Sequence, residues 1–202
     1  MSNINYFLIL GLQPGATESE IDAAFEAIAG KLKPSNFSYS INASEQAAAA
    51  LAKVRAAHTA LKDARFREQH AEALKDIGEP FTPDQLKPLL GHVCVAAGII
   101  TYQDLMDSIH QQADIDLPLG QILQGRGLLS DTELQGMLMG KKLYGAPSRP
   151  LDSMVKRLLW LGLITVDMIK IALIDQRTSM DSLDELMSKR GWIDKGVLAA
   201  LN

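Results

Sequence analysis

From about residue 90 onward, apolar residues come in short runs that close on one recurring phrase: Gly98-Ile-Ile-Thr101, Gly127-Leu-Leu-Ser130, Gly162-Leu-Ile-Thr165 and Gly191-Trp-Ile-Asp194. The first two glycines are spaced exactly as the last two are, with a wider gap between the pairs, the mark of a paired internal repeat. Glycine suits the left-handed residue just past a helix end, and Thr101, Ser130, Thr165 and Asp194 carry oxygens that accept from the free N–H groups opening the next helix. Upstream of each glycine lies an apolar segment: Leu90 to Ala97, Leu119 to Arg126, Met154 to Leu161 and Leu183 to Arg190. Downstream, Leu105 and Ile109, Leu134 and Leu138, Ile169 and Leu173, and Leu198 and Leu201 recur at helical spacing. Each copy therefore predicts a short helix, a tight turn and a second amphipathic helix. One copy cannot bury its own apolar side, so the copies are expected to stack as two modules, 89–145 and 151–202, joined through the Gly- and Pro-rich stretch Tyr144 to Pro150.

The segment 1–76 follows another pattern. Thr17-Glu-Ser-Glu20 is a capping-box start, and Ile21, Ala24, Phe25, Ile28 and Leu32 mark one face of a helix ending before Pro34. A polar loop is expected from Ser35 to about Asn42. A second helix then carries Ala47, Leu51, Val54, Ala57 or His58, and Leu61, and the two should lie antiparallel and face to face. Glu18, Glu20, Asp22 and Glu26 read as a solvated outer face. The stretch Ile77-Gly-Glu-Pro-Phe-Thr-Pro83, within 77–88, reads as a short stiff linker.

Composition adds limits. The chain has 202 residues, 47% of them apolar and only 5% aromatic, which supports a helical core. Its formal charge of −4, without a Lys/Arg block, argues against nucleic acid as a partner. The N-terminus lacks the form of a secretory signal and no run is long enough to cross a bilayer, so a cytoplasmic location is expected. Cys94 stands alone and is expected to be a buried, inert thiol. His58, His70, His92 and His110 lack metal-ligand spacing and no strained nucleophile turn occurs, so neither a metal site nor a catalytic residue is expected.

One position breaks the repeat. Just before the glycine, the other copies carry Ala96-Ala97, Gly125-Arg126 and Lys189-Arg190, whereas the third carries Trp160-Leu161. A position that accepts Lys and Arg lies near solvent, so Trp160 and Leu161 predict an apolar surface patch for a protein partner or a second copy of the chain. Trp192, aligned with Ile99, Leu128 and Leu163, is expected in the core.

Tyr6-Phe7, Leu10-Gly-Leu12, Pro14-Gly-Ala-Thr17, Glu20-Ile21, Ala24-Phe25 and Leu61-Lys-Asp-Ala-Arg-Phe-Arg67 resemble, in that order, the J-domain of DnaJ-type co-chaperones. That family stimulates DnaK-type chaperones through a His-Pro-Asp triplet and a basic second helix. Here Lys33, Pro34 and Ser35 occupy the triplet and the helix is acidic. The resemblance then implies a J-like domain that keeps a docking surface around Lys33, Pro34 and Ser35 while losing chaperone activation; a DnaK-type cofactor is the alternative.

Leu119-Gly120-Gln-Ile-Leu123 with Gly127-Leu-Leu129, and a sister copy at Leu90-Gly91, is similar to the N-terminal domain of type II secretion and type IV pilus assembly ATPases. Some members bind cyclic di-GMP through an Arg before Leu-Gly and a Gln late in the second helix. Gln112 stands at the Gln position, but Leu89, Pro118, Ser153 and Ser182 replace the Arg. The resemblance leaves Leu90, Gly91, Gln112, Leu119 and Gly120 as the ligand-binding residues of an alternative second-messenger receptor. The main expectation is an all-α fold, with a J-domain-like helix pair and two tandem helical-repeat modules. It would work as a non-enzymatic bacterial adaptor or regulator without a cofactor, through protein contacts linked to pilus or secretion machinery, as a possible homo-oligomer.

Overall fold

The computed structural model describes residues 4–75 and 81–202, so part of the expected 77–88 linker lies outside the described residues. The fold is all-α. Among the described residues are α1 (Tyr6–Ile9), α2 (Glu18–Lys31), α3 (Ile41–Lys62), α4 (Ala64–Lys75), α5 (Leu90–Ala96), α6 (Tyr102–Asp114), α7 (Leu119–Gly125), α8 (Asp131–Lys141), α9 (Ser153–Trp160), α10 (Val166–Asp175), α11 (Leu183–Lys189) and α12 (Lys195–Leu201), with no strand. None of these helices is long and apolar enough to cross a membrane.

The four repeat glycines all sit at positive φ, between 70° and 75°. At each, the glycine N–H and the next N–H reach back over the helix end. Gly98 donates to Val95 O and Ile99 to Cys94 O, and the same pair of bonds recurs at Gly127, Gly162 and Gly191. The turn chemistry is therefore local and shared by all four. Gly11, with φ 72°, closes α1 in the same way: Gly11 N–H donates to Leu8 O and Leu12 N–H to Phe7 O. Thr101 with Asp104 and Ser130 with Glu133 form reciprocal capping boxes, and Asp194 accepts from Gly196 and Val197 N–H.

The chain divides into two compact units whose limits cut across the segments read from the sequence. One comprises Met1–Pro80, Pro150–Thr165 and Asp184–Asn202; the other comprises Phe81–Arg149 and Val166–Leu183. The pair 151–202 thus does not stay together: α9, α12 and most of α11 belong to the first unit, and α10 to the second.

In the first unit, α2 packs on α3. Glu18 pairs with Lys62 at 2.6 Å, while Asp22 reaches Lys62 at 3.0 Å and His58 at 2.8 Å, a descending order that makes the helices antiparallel. Glu18 and Asp22 consequently face α3 instead of forming a free acidic face. Their carboxyls are held below their ordinary range, chiefly through the hydrogen bonds from Lys62 and His58 respectively. The expected polar loop contains a 3-10 turn, Pro34–Phe37, because Phe37 has an apolar site to fill and is buried. Helix α1 packs on α3 and α9, and α12 on α2 and α3.

A cation lies inside this unit. The Arg157 side chain of α9 is buried; its Nε donates to Ile9 O at 3.0 Å and its Nη1 to Leu201 O, the carbonyl ends of α1 and α12. Helix C-termini carry partial negative charge and free carbonyls, so they can hold a guanidinium without a carboxylate. Burial lowers its pKa to about 10, leaving it charged at neutral pH. Gly11 makes the room, since a methyl there would stand 3.1 Å from Nη1.

In the second unit, α5 packs on α6, α7, α8 and α10, and α6 on α7. The thiol of Cys94 is fully buried and pushed up to about 11 by desolvation, as expected for an inert core cysteine.

Candidate functional site

The Leu-Gly pairs of the first repeat module are its packing seam. A methyl added to Gly91 would collide with Leu105 Cδ1 and stand 3.1 Å from Leu119 Cδ2; one added to Gly120 would stand 2.8 Å from Leu134 Cδ1 and 3.5 Å from Leu90 Cδ2. Leu90 and Leu119 exchange places across the pair, each meeting the other copy's glycine. The two copies thereby close on one another about an approximate two-fold, and Gly91 and Gly120 are fully covered. Gln112, the remaining member of the ligand set, donates its amide to Leu117 O at 2.9 Å. Gln176, its counterpart in the third copy, donates to Asp181 O at 3.3 Å. In both copies the glutamine ties down the loop that follows its helix.

The second unit also holds a pair that sequence spacing does not show. Buried His92 of α5 accepts the Leu89 N–H on Nδ1 at 2.8 Å and meets Asp167 Oδ1 of α10 through Nε2 at 2.9 Å. Because Nδ1 accepts, the ring proton of the neutral imidazole sits on Nε2 and points at the carboxylate. That bond, ahead of the nearby Lys170 ammonium at 3.7 Å, holds the Asp167 carboxyl below the usual carboxylate range. Both ring nitrogens are engaged, so the pair fastens α10 to α5. No group of three or more His, Cys, Asp or Glu able to hold a metal occurs among the described residues.

Lys33, Pro34 and Ser35 are exposed, as a docking surface requires. The turn is pinned from both sides. Asn36 Nδ2 donates to Gly30 O and Lys31 O at the end of α2, and Tyr39 Oη donates to Asp194 Oδ1 at 2.5 Å. Gln46 clamps the same stretch, donating to Trp192 O at 3.0 Å and accepting from Asp194 N–H at 2.9 Å.

The Trp160-Leu161 patch requires correction. Leu161 is 1% exposed and Trp160 is half-buried, so this pair supplies no broad apolar surface. The position is near solvent where the helix end is free, and buried here because α9 packs on α1. Trp192 is likewise corrected: it is half-buried with the Arg190 guanidinium 5.4 Å from its ring centre, while its neighbour Ile193 fills the core.

An exposed apolar stripe lies on α8, which contributes no buried residue. Leu134 takes the inward side, against Gly120. On the opposite side Gly136, Met139, Gly140 and Leu143 follow at helical spacing as a single stripe. Met139 is 70% and Leu143 74% exposed, and methyls added to Gly136 or Gly140 would meet nothing within 4 Å. The stripe is held in place beyond the helix: Leu143 N–H donates to Gly140 O, and Arg177 donates to Leu143 O at 2.9 Å with its guanidinium 4.9 Å from the Tyr144 ring centre. The sequence held a signal for this surface, two glycines inside a helix that have no turn to make.

No family model matches the chain, and neither a curated protein nor a solved structure does.

Proposed function

We propose that the chain is a non-catalytic adaptor that acts by protein contact, with the outer stripe of α8 as its principal recognition surface and the exposed Lys33-Pro34-Ser35 turn as a second. The observation that carries this reading is Met139 standing in solvent on a helix that buries none of its residues, with Leu143 continuing the stripe in the turn just beyond it. Large apolar side chains grouped on one ordered helix face are what protein interfaces cover. The groups best suited to chemistry have other work: His92 and Asp167 fasten α10, Arg157 holds two helix ends, and Cys94 is sealed with its thiol proton retained. The J-like order of landmarks and the secretion-ATPase-like turns support, by analogy, a bacterial regulator acting near pilus or secretion machinery.

A photoreactive amino acid placed at position 139 in cells making the chain tests the reading. The expected result is a discrete adduct with a protein, whether a different one or a second copy of this chain, that is absent when the probe stands at exposed Lys53 on α3. An absent adduct at 139, or turnover of a metabolite by the purified chain, would overturn it.

A further inference from the structure

We infer that the α8 stripe takes a second copy of this chain, paired antiparallel, so that the adaptor works as a weak two-fold dimer. The inference rests on the reading of α8 as a recognition surface and names its occupant. Charge makes the argument. The first turn of α8 carries Asp131 and Glu133, and its end carries Lys141 and Lys142. Antiparallel pairing sets each acidic turn beside the other copy's basic turn, twice in a two-fold interface, and also opposes the helix dipoles. Parallel pairing would set like charges together.

Sterics agree. Gly136 and Gly140 flank the centre of the stripe and face open space, so two such helices can approach closely, with Met139 of each laid along the glycines of the other. An interior glycine costs a helix roughly 1 kcal/mol relative to alanine, and no packing inside this chain calls for either one. A helix of three turns covers less area than a standard stable interface, so the pairing is expected to be weak and concentration-dependent.

Sedimentation of the full chain over a wide concentration range tests this. The wild type should shift reversibly from monomer to dimer. Asp131→Lys and Lys142→Glu should each weaken the dimer about tenfold or more, and the double variant, or an equal mixture of the two single variants, should restore it. Gly140→Leu should abolish self-association without lowering the melting temperature. A chain that stays monomeric at the highest concentration, or a dimer indifferent to all these substitutions, overturns the inference. The two readings separate cleanly: a monomer that still cross-links a different protein through position 139 removes only the self-pairing, and an α8-dependent dimer without such an adduct removes only the external partner.

Discussion

The two repeat pairs share a turn to within a few degrees, yet one pair closes on itself and the other does not. In the first pair, Gly91 and Gly120 admit Leu105, Leu119, Leu134 and Leu90, and the four helices α5 to α8 form one seam. In the second pair the same places hold Val155 and Asp184. A valine fills the slot that Gly91 leaves open, and a carboxylate cannot enter an apolar seam without a partner. Accordingly α9 packs on α1, α12 packs on α2 and α3, and α10 packs on α5. Identical turns do not make identical modules; the residue in the opening turn of the first helix decides.

Closure also governs what is left exposed. Helix α12 buries Val197, Leu198, Ala200 and Leu201, whereas α8, its counterpart in the closed pair, buries nothing. The apolar stripe of α8 is therefore left open by the way the closed pair packs.

Substitutions can break this contrast, beginning with the buried cation of the first unit. Arg157→Ala would strand the carbonyls of Ile9 and Leu201 and leave a void, and should lower stability by about 3–4 kcal/mol in denaturant titration. An unchanged midpoint would mean that these helix ends do not depend on the guanidinium. Gly91→Val, which installs the residue of the third copy in the first, should cost about 2–3 kcal/mol through collision with Leu105 and Leu119. If the protein accepted valine there, the account of why only one pair closes would fail.

Gly136→Ala and Gly140→Ala sharpen the comparison from the other side. These glycines face open space, so each replacement should raise the stability of the monomer by about 0.5–1 kcal/mol, opposite in sign to Gly91→Val. A loss of stability at either position, read in the same denaturant titration, would place that glycine in the packing of the closed pair.

The smallest effect concerns acid. His70 of α4 accepts the Tyr6 N–H, stacks on Phe7 and Phe66, and has its pKa lowered by burial. Its contribution is complete above its ordinary value of 6.5 and is lost as pH falls through the lower folded-state value. Asp167, depressed from 3.8 chiefly by His92, keeps its contribution until the pH falls below that value. Amide protection factors in α4 should therefore fall as the pH drops below 6.5 while those in α10 hold until the pH nears 3.8. Equal losses in both helices would contradict this assignment.

What could be read from the chain alone was what is decided within a few neighbouring positions. Positive φ at Gly98, Gly127, Gly162 and Gly191, the caps at Thr17, Thr101, Ser130 and Asp194, and the periodicities of α2 and α3 are local choices written locally. What was missed depends on distant partners. His92 meets Asp167 75 residues away, and Arg157 reaches Ile9 across 148. Leu161 looked exposed because its sister positions carry Ala, Arg and Arg, and that inference fails once one copy packs against foreign helices. The stripe on α8 was legible in principle, in two glycines inside a helix with no turn to make, but that they face open space depends on distant packing.

Methionine oxidation in the working cell tests the recognition surface most directly, because three methionines supply their own references. Met180 is fully exposed, Met187 is buried, and Met139 lies between them at 70% exposure on the stripe. In dilute purified protein Met139 should react at a rate close to that of Met180. In cells its rate should fall several-fold toward that of Met187 while Met180 is unchanged. A Met139 that oxidises as fast as Met180 in both settings would mean that nothing covers α8, and recognition through this face would be refuted.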